Sequence, residues 1–205
     1  MPKFGHNIKD KYNIMITIIT VITLLIIGGV ALYEYKSQEV KPKEEMTFTT
    51  NKGNVIETEY KDLGKFSVKI PKDFEVMSDE LLKIKYPYGN VPKKAYSNED
   101  ASISIVYNLD RTSLNGNKLS SYIESLKLSF SKMGYIYYYF PHKVNGNEIH
   151  TFSFNSQAID TTIYNYMAFF EVDGELVIFS FNCTSNYQEE WSSVAEYIVK
   201  SIKIK

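Results

Sequence analysis

The amino-acid sequence predicts an α+β protein: an N-terminal transmembrane helix followed by an α/β/α sandwich with a mainly antiparallel sheet. Three observations carry this reading. Residues 14–33 form an uncharged apolar run. Two later stretches place apolar residues at helical spacing. Alternating segments are joined by Asn145-Gly146 and Asp173-Gly174, dipeptides suited to tight hairpin turns.

The apolar run reads IMITIITVITLLIIGGVALY. A helix of about 20 residues, rising 1.5 Å per residue, spans the ~30 Å hydrocarbon core of a bilayer. Tyr12 and Tyr33 bracket it at the depth where interfacial aromatics belong. Lys3, Lys9 and Lys11 precede the run and Lys36, Lys41 and Lys43 follow it, so lysine bias alone leaves the orientation nearly neutral. The short N-terminus and the large segment that follows fit a signal anchor. Residues 1–13 are therefore expected in the cytoplasm and the remainder outside the membrane. The competing reading is a signal peptide cleaved after Ala31, because Gly29 and Ala31 are small at the positions a peptidase inspects. The sole cysteine, Cys183, lies far beyond the run, which excludes a lipobox.

Residues 34–54 are charged and polar, with Pro42 and Gly53, and read as a juxtamembrane linker with an edge strand at its end. Residues 55–205 are the expected extracytoplasmic domain. The whole chain is 44% hydrophobic, as a globular chain is, and its net charge of −1 argues against electrostatic capture of nucleic acid. One cysteine allows no internal disulfide. A domain of about 150 residues does not need one, since it buries ~70% of its unfolded surface. The 17 Tyr and 12 Phe against one Trp read as compositional bias rather than a dedicated aromatic surface.

Strands are expected at 55–60, 66–70, 74–77, 82–86 and 102–107. The fourth rests on the alternation LKIKY, and Pro71 stops the second. A helix follows, with Leu119, Tyr122, Ile123, Leu126, Phe130 and Met133 on one face, Asn117 as its cap and Gly134 as its stop. Four strands come next, at 135–140, 148–154, 162–172 and 175–183. The last two are apolar on both faces and belong in the middle of a covered sheet. A second helix starts at a Ser185–Gln188 capping box and buries Trp191, Val194, Ala195, Ile198, Val199 and Ile202. One helix is expected on each face of the sheet.

The stretch FSVKIPKDFEVM, the amphipathic helix, the Asn-Gly and Asp-Gly hairpins and the C-terminal helix running into SIKI resemble the PsbP-like superfamily over roughly residues 66–205. That fold is shared by an extrinsic photosystem subunit, a Ran-binding import factor and bacterial envelope proteins of the DcrB type. Phe74 stands where members often carry Trp. The resemblance implies a non-enzymatic binding or accessory module and transfers no catalytic residue.

Reactive chemistry is sparse. No nucleophile elbow, zinc-protease, P-loop or dinucleotide motif is present. His142 and His150 flank the Asn-Gly hairpin, where they are placed to approach each other near Glu148. Solvated or hydrogen-bonded imidazoles are the preferred reading over a metal site. No metal or cofactor is expected. Cys183 reads as a buried thiol. Asn182-Cys183-Thr184 matches a glycosylation sequon by chance composition. Tyr135, Tyr137 and Tyr139 share one strand face, either under a helix as core or as a possible ligand surface.

The expected function is that of a membrane-anchored, single-pass, extracytoplasmic binding or accessory protein engaging another envelope or secreted protein. A carrier for lipid or peptide is the alternative, and an enzyme of unidentified type the third.

Overall fold

Side chains that are large and apolar at successive positions, not only at alternate ones, need cover on both sides. Residues 162–172 and 175–184 meet that condition and form the centre of the fold. The computed structural model describes residues 46–86, 91–110, 118–158 and 160–205. The expected transmembrane helix at 14–33, the N-terminus at 1–13 and linker residues 34–45 lie outside the described residues. Among the described residues no helix is long and apolar enough to cross a membrane.

In chain order the strands are β1 (Thr47–Thr49), β2 (Val55–Asp62), β3 (Phe66–Pro71), β4 (Glu75–Val76), β5 (Lys94–Ser97), β6 (Ile103–Asp110), β7 (Tyr137–Val144), β8 (Asn147–Gln157), β9 (Thr162–Val172), β10 (Glu175–Thr184) and β11 (Lys203–Ile204). The helices are α1 (Asp79–Lys85), α2 (Lys118–Lys132) and α3 (Ser185–Lys200). Seven strands form one sheet in the order β4-β5-β6-β10-β9-β8-β7, and four form another in the order β1-β2-β3-β11. Among the described residues every strand pair is antiparallel.

The two central strands sort their side chains as the sequence predicts. Phe170, Val177, Phe179, Phe181 and Cys183 join Trp191, Val194, Ala195 and Ile198 of α3 in one core. Phe169 and Leu176 join Ile123 and Phe130 of α2 in a second core. Phe169 and Phe170 are chain neighbours in a strand, so the two cores lie on opposite faces, with one long helix on each.

Four expectations need correction. Residues 82–86 are mostly helical. Ser78 caps α1 by accepting from the Leu81 amide, Asp79 and Glu80 occupy its first turn, and Leu82 points into the apolar cluster of Met77 and Ala95. Cap and charge order outweigh the five-residue alternation. The α3 N-cap is Thr184, without a side-chain cap bond, in place of the Ser185 box. Met133 falls beyond the end of α2 and is exposed, while Ile123 and Phe130 are buried. Finally, α3 does not cover its face alone. Phe66 of β3 meets Tyr107 at 5.5 Å and Phe170 at 5.3 Å, both edge-on, and so seats the four-stranded sheet beside the helix.

The end of α2 is a Schellman stop. Gly134 has φ +75°, its amide reaches Ser131 O at 3.1 Å, and the Tyr135 amide reaches Phe130 O at 3.0 Å. This turn delivers the chain directly into β7. At the other end of the molecule Ser201 accepts from the buried Lys69 amide at 2.8 Å and donates to Ile198 O at 2.6 Å. It thereby ties the end of α3 to β3.

Phe66 is fully buried between the two sheets. Phe66→Ala is expected to cost about 3–5 kcal/mol, read as a shift in the urea midpoint. A loss below about 1 kcal/mol would show that the small sheet is not held by this ring.

Candidate functional site

Strand β7 lies at one edge of the seven-stranded sheet, and among the described residues it pairs only with β8. The Asn145-Gly146 turn, with φ +50° and +84°, closes on the Val144–Asn147 pair. A two-residue turn of this type closes on a hydrogen-bonded pair, and such pairs recur at every second residue. Even-numbered residues of β7 therefore address β8, and odd-numbered residues present their backbone groups to the open edge. Two observations agree. The Phe140 carbonyl accepts from Thr151 Oγ1 of β8 at 2.8 Å. Pro141, which has no amide hydrogen, occupies an outward position where the ladder needs none.

The side chains of β7 divide by parity in the same way. Tyr135, just before the strand, and Tyr137 and Tyr139 within it lie half-buried against the α2 core. Tyr137 meets Phe130 at 5.7 Å and Phe152 at 5.6 Å, and Tyr139 meets Phe152 at 4.9 Å. Lys127 of α2 lies 3.9 Å from the centroid of the Tyr139 ring. The rings of Tyr137 and Tyr139 thus pack on protein neighbours while staying partly exposed.

The opposite face of the same segment carries Ile136, Tyr138 and Phe140, exposed to 85%, 64% and 54%. Tyr138 pairs with Ser153, which pairs with Tyr166 of the α3 core, so this stripe shares the face on which α3 lies. It is nevertheless outside that core. The intervening β8 positions on this face are Thr151, Ser153 and Asn155, a row of polar side chains. The face thus runs from a filled core, across polar side chains, to an uncovered apolar stripe. An open groove of about 650 Å³ adjoins it, lined by Tyr135, Ile136, Tyr138, Phe154, Gln188 and Ser192 among others.

The sequence points to the odd-numbered tyrosines, as core first and as a ligand surface second, and offers no reading of the even-numbered residues. The available signal was that YIYYYF is apolar on both faces. Which face lies bare depends on strand order and helix placement.

The histidines do not converge. His142 pairs with Ile149, and His150 with Pro141, so the two imidazoles lie on opposite faces of the hairpin. His150 is buried, with Nδ1 at 2.8 Å from Tyr139 Oη and Nε2 at 3.3 Å from Glu148 Oε1. Burial lowers its pKa, outweighing the opposing pull of Glu148. His142 Nδ1 lies 3.3 Å from Phe140 O, and its Nε2 is buried with no hydrogen-bond partner among the described residues. Among the described residues no three His, Cys, Asp or Glu side chains gather as metal ligands do. Cys183 is buried, and burial pushes its thiol up to about 12. Asn182 donates to Asn165 Oδ1 at 3.0 Å from the middle of the sheet.

The fold is PsbP-like. The solution structure of cyanobacterial PsbP (CyanoP) from Synechocystis sp. PCC 6803 superposes with a TM-score of 0.51 over 81% of this chain and 99% of that one, at 6% identity. LpqN of Mycobacterium tuberculosis, described as involved in cell envelope biogenesis, gives 0.44 at 11% identity over 75% of this chain and 94% of that one. The protein of unknown function PA94 from Pseudomonas aeruginosa, described as a putative regulator, gives 0.41 at 10% identity over 72% and 97%. At these identities the likeness concerns the fold alone. No family model matches the chain, and no curated protein matches it.

The His150 environment sets a pH dependence. Its folded pKa lies below the unfolded value of 6.5, so the unfolded chain takes up the proton first as pH falls. The contribution is complete above the unfolded pKa and is lost as pH falls toward the folded one. Urea midpoints at about pH 7.5 and pH 5.5 should fall less in His150→Gln than in the parent. Equal falls would contradict this assignment.

Proposed function

We propose that this chain is a membrane-tethered, extracytoplasmic binding or accessory protein without catalytic activity, and that it engages another protein through β7. The observation that carries the reading is the exposed stripe of Ile136, Tyr138 and Phe140 on an edge strand with open backbone positions. Exposed apolar surface beside an open sheet edge is a recognised docking arrangement, because an added strand gains main-chain hydrogen bonds and side-chain burial together. The apolar run at 14–33 supports the tether. The PsbP-like fold agrees with the role, since the sequence resemblance to that superfamily implies a binding or accessory module. The groove beside Tyr138 supports a second reading as a carrier of a small lipid or peptide, since about 650 Å³ lies within the range of ligand sites.

A photo-crosslinking amino acid placed at Tyr138 of the full chain in intact membranes tests the reading. A discrete protein adduct is expected from position 138 and not from exposed Leu128 on α2. No adduct, or the same pattern from both positions, would contradict it.

A further inference from the structure

We propose that the occupant of the β7 edge is a second copy of this chain, joined to the first by antiparallel β7–β7 pairing about a two-fold axis at Tyr138. The inference rests on the reading that β7 is a protein-docking edge, and it names the partner.

The register follows from the strand itself. The odd-numbered positions Tyr137, Tyr139, Pro141 and Lys143 face the open edge. Centring the pair on Phe140 would set Tyr139 against the partner's Pro141, and centring it on Tyr139 would set Tyr137 against the partner's Pro141. Either register loses donors. Centring on Tyr138 sets Tyr137 against the partner's Tyr139, and Tyr139 against the partner's Tyr137, so every paired position has an amide hydrogen. Pro141 then stands just beyond the paired segment and ends it.

The same register matches side chains. On the exposed face Tyr138 meets the partner's Tyr138, and Ile136 meets the partner's Phe140. Aromatic and aliphatic residues directly opposite each other stabilise antiparallel pairs. The Tyr138 position is a non-hydrogen-bonded pair, the kind in which opposed side chains come closest.

Charge agrees. Residues 133–141 carry no charged side chain, so two copies meet along this stretch without like charges opposed. An uncharged stripe is best answered by another uncharged stripe, and its own copy is one.

Area sets the strength. The exposed parts of Ile136, Tyr138 and Phe140 each remove on the order of 100–200 Å² from water when covered. With adjoining rims and backbone this comes to about 1,000 Å² over both copies, the lower bound for a specific interface. The dimer is accordingly one that dissociates on dilution.

The test uses the full chain in detergent, with position 138 exchanged. Tyr138 is exposed, so its variants keep the core intact. The parent should sediment as a dimer when concentrated and as a monomer after about a hundredfold dilution. Tyr138→Lys and Tyr138→Glu should each stay monomeric, and an equimolar mixture of the two should dimerise again. Tyr138→Cys should form a disulfide-linked dimer on mild oxidation, whereas Leu128→Cys should not. A parent that is monomeric at every concentration, or a mixture that fails to re-form the dimer, overturns the inference. In that event a different protein captured from position 138 leaves the docking reading standing, and no capture removes both.

Discussion

The central strands β9 and β10 carry large apolar side chains on both faces, and the rest of the architecture answers that demand. Phe170, Phe179 and Phe181 have no exposure on one side, and Phe169 and Leu176 almost none on the other. Burying an aromatic side chain contributes roughly 1.5–3 kcal/mol relative to leaving it in water. A sheet with two such faces is stable only when both are covered. Helix α2 supplies one cover, and α3 with the four-stranded sheet supplies the other. Trp191 completes the second cover by stacking on Phe74 at 5.8 Å and on Phe181 at 6.1 Å.

Cover runs out toward β7. On the α3 side, β8 turns polar at Thr151, Ser153 and Asn155, which marks the boundary of the core. The apolar residues beyond that boundary contribute little to the stability of the isolated domain. Their burial is available to a partner. On the other side α2 reaches fully to the edge, and Tyr135, Tyr137 and Tyr139 are held there by Phe130, Phe152 and Phe154. One strand thus has a structural face and a bare one, and the division follows from which helix extends farther across the sheet.

Local signals were legible in the sequence where a single segment determines its own state. Asn145 and Asp173 adopt φ +50° and +51° ahead of Gly146 and Gly174, as the hairpin dipeptides indicate. The doubly apolar strands stand at the sheet centre, and the stripe of α3 is buried as its spacing predicts. The misreadings arise where distant segments decide. In LKIKY, alternation competes with a Ser78 cap and correctly ordered charges, and the helix wins by packing Leu82 on Ala95. The second sheet depends on β11 pairing with β3 from the opposite end of the domain. The separation of His142 from His150 was within reach. A two-residue turn after Val144 pairs even positions with odd ones, so two even-numbered histidines fall on opposite faces. The bare stripe was out of reach, because it requires knowing where α3 stops.

Under the proposed pairing the outer side of β7 is open in one copy and closed in the complex. Residue-resolved amide hydrogen exchange measures this directly. At high dilution the amides of Tyr138 and Phe140, which face β8, should exchange slowly, and those of Tyr137 and Tyr139 rapidly. On concentrating the protein, Tyr137 and Tyr139 should become protected while Tyr138 and Phe140 remain so. Uniform protection along β7 at high dilution, or outer amides indifferent to concentration, would contradict the account.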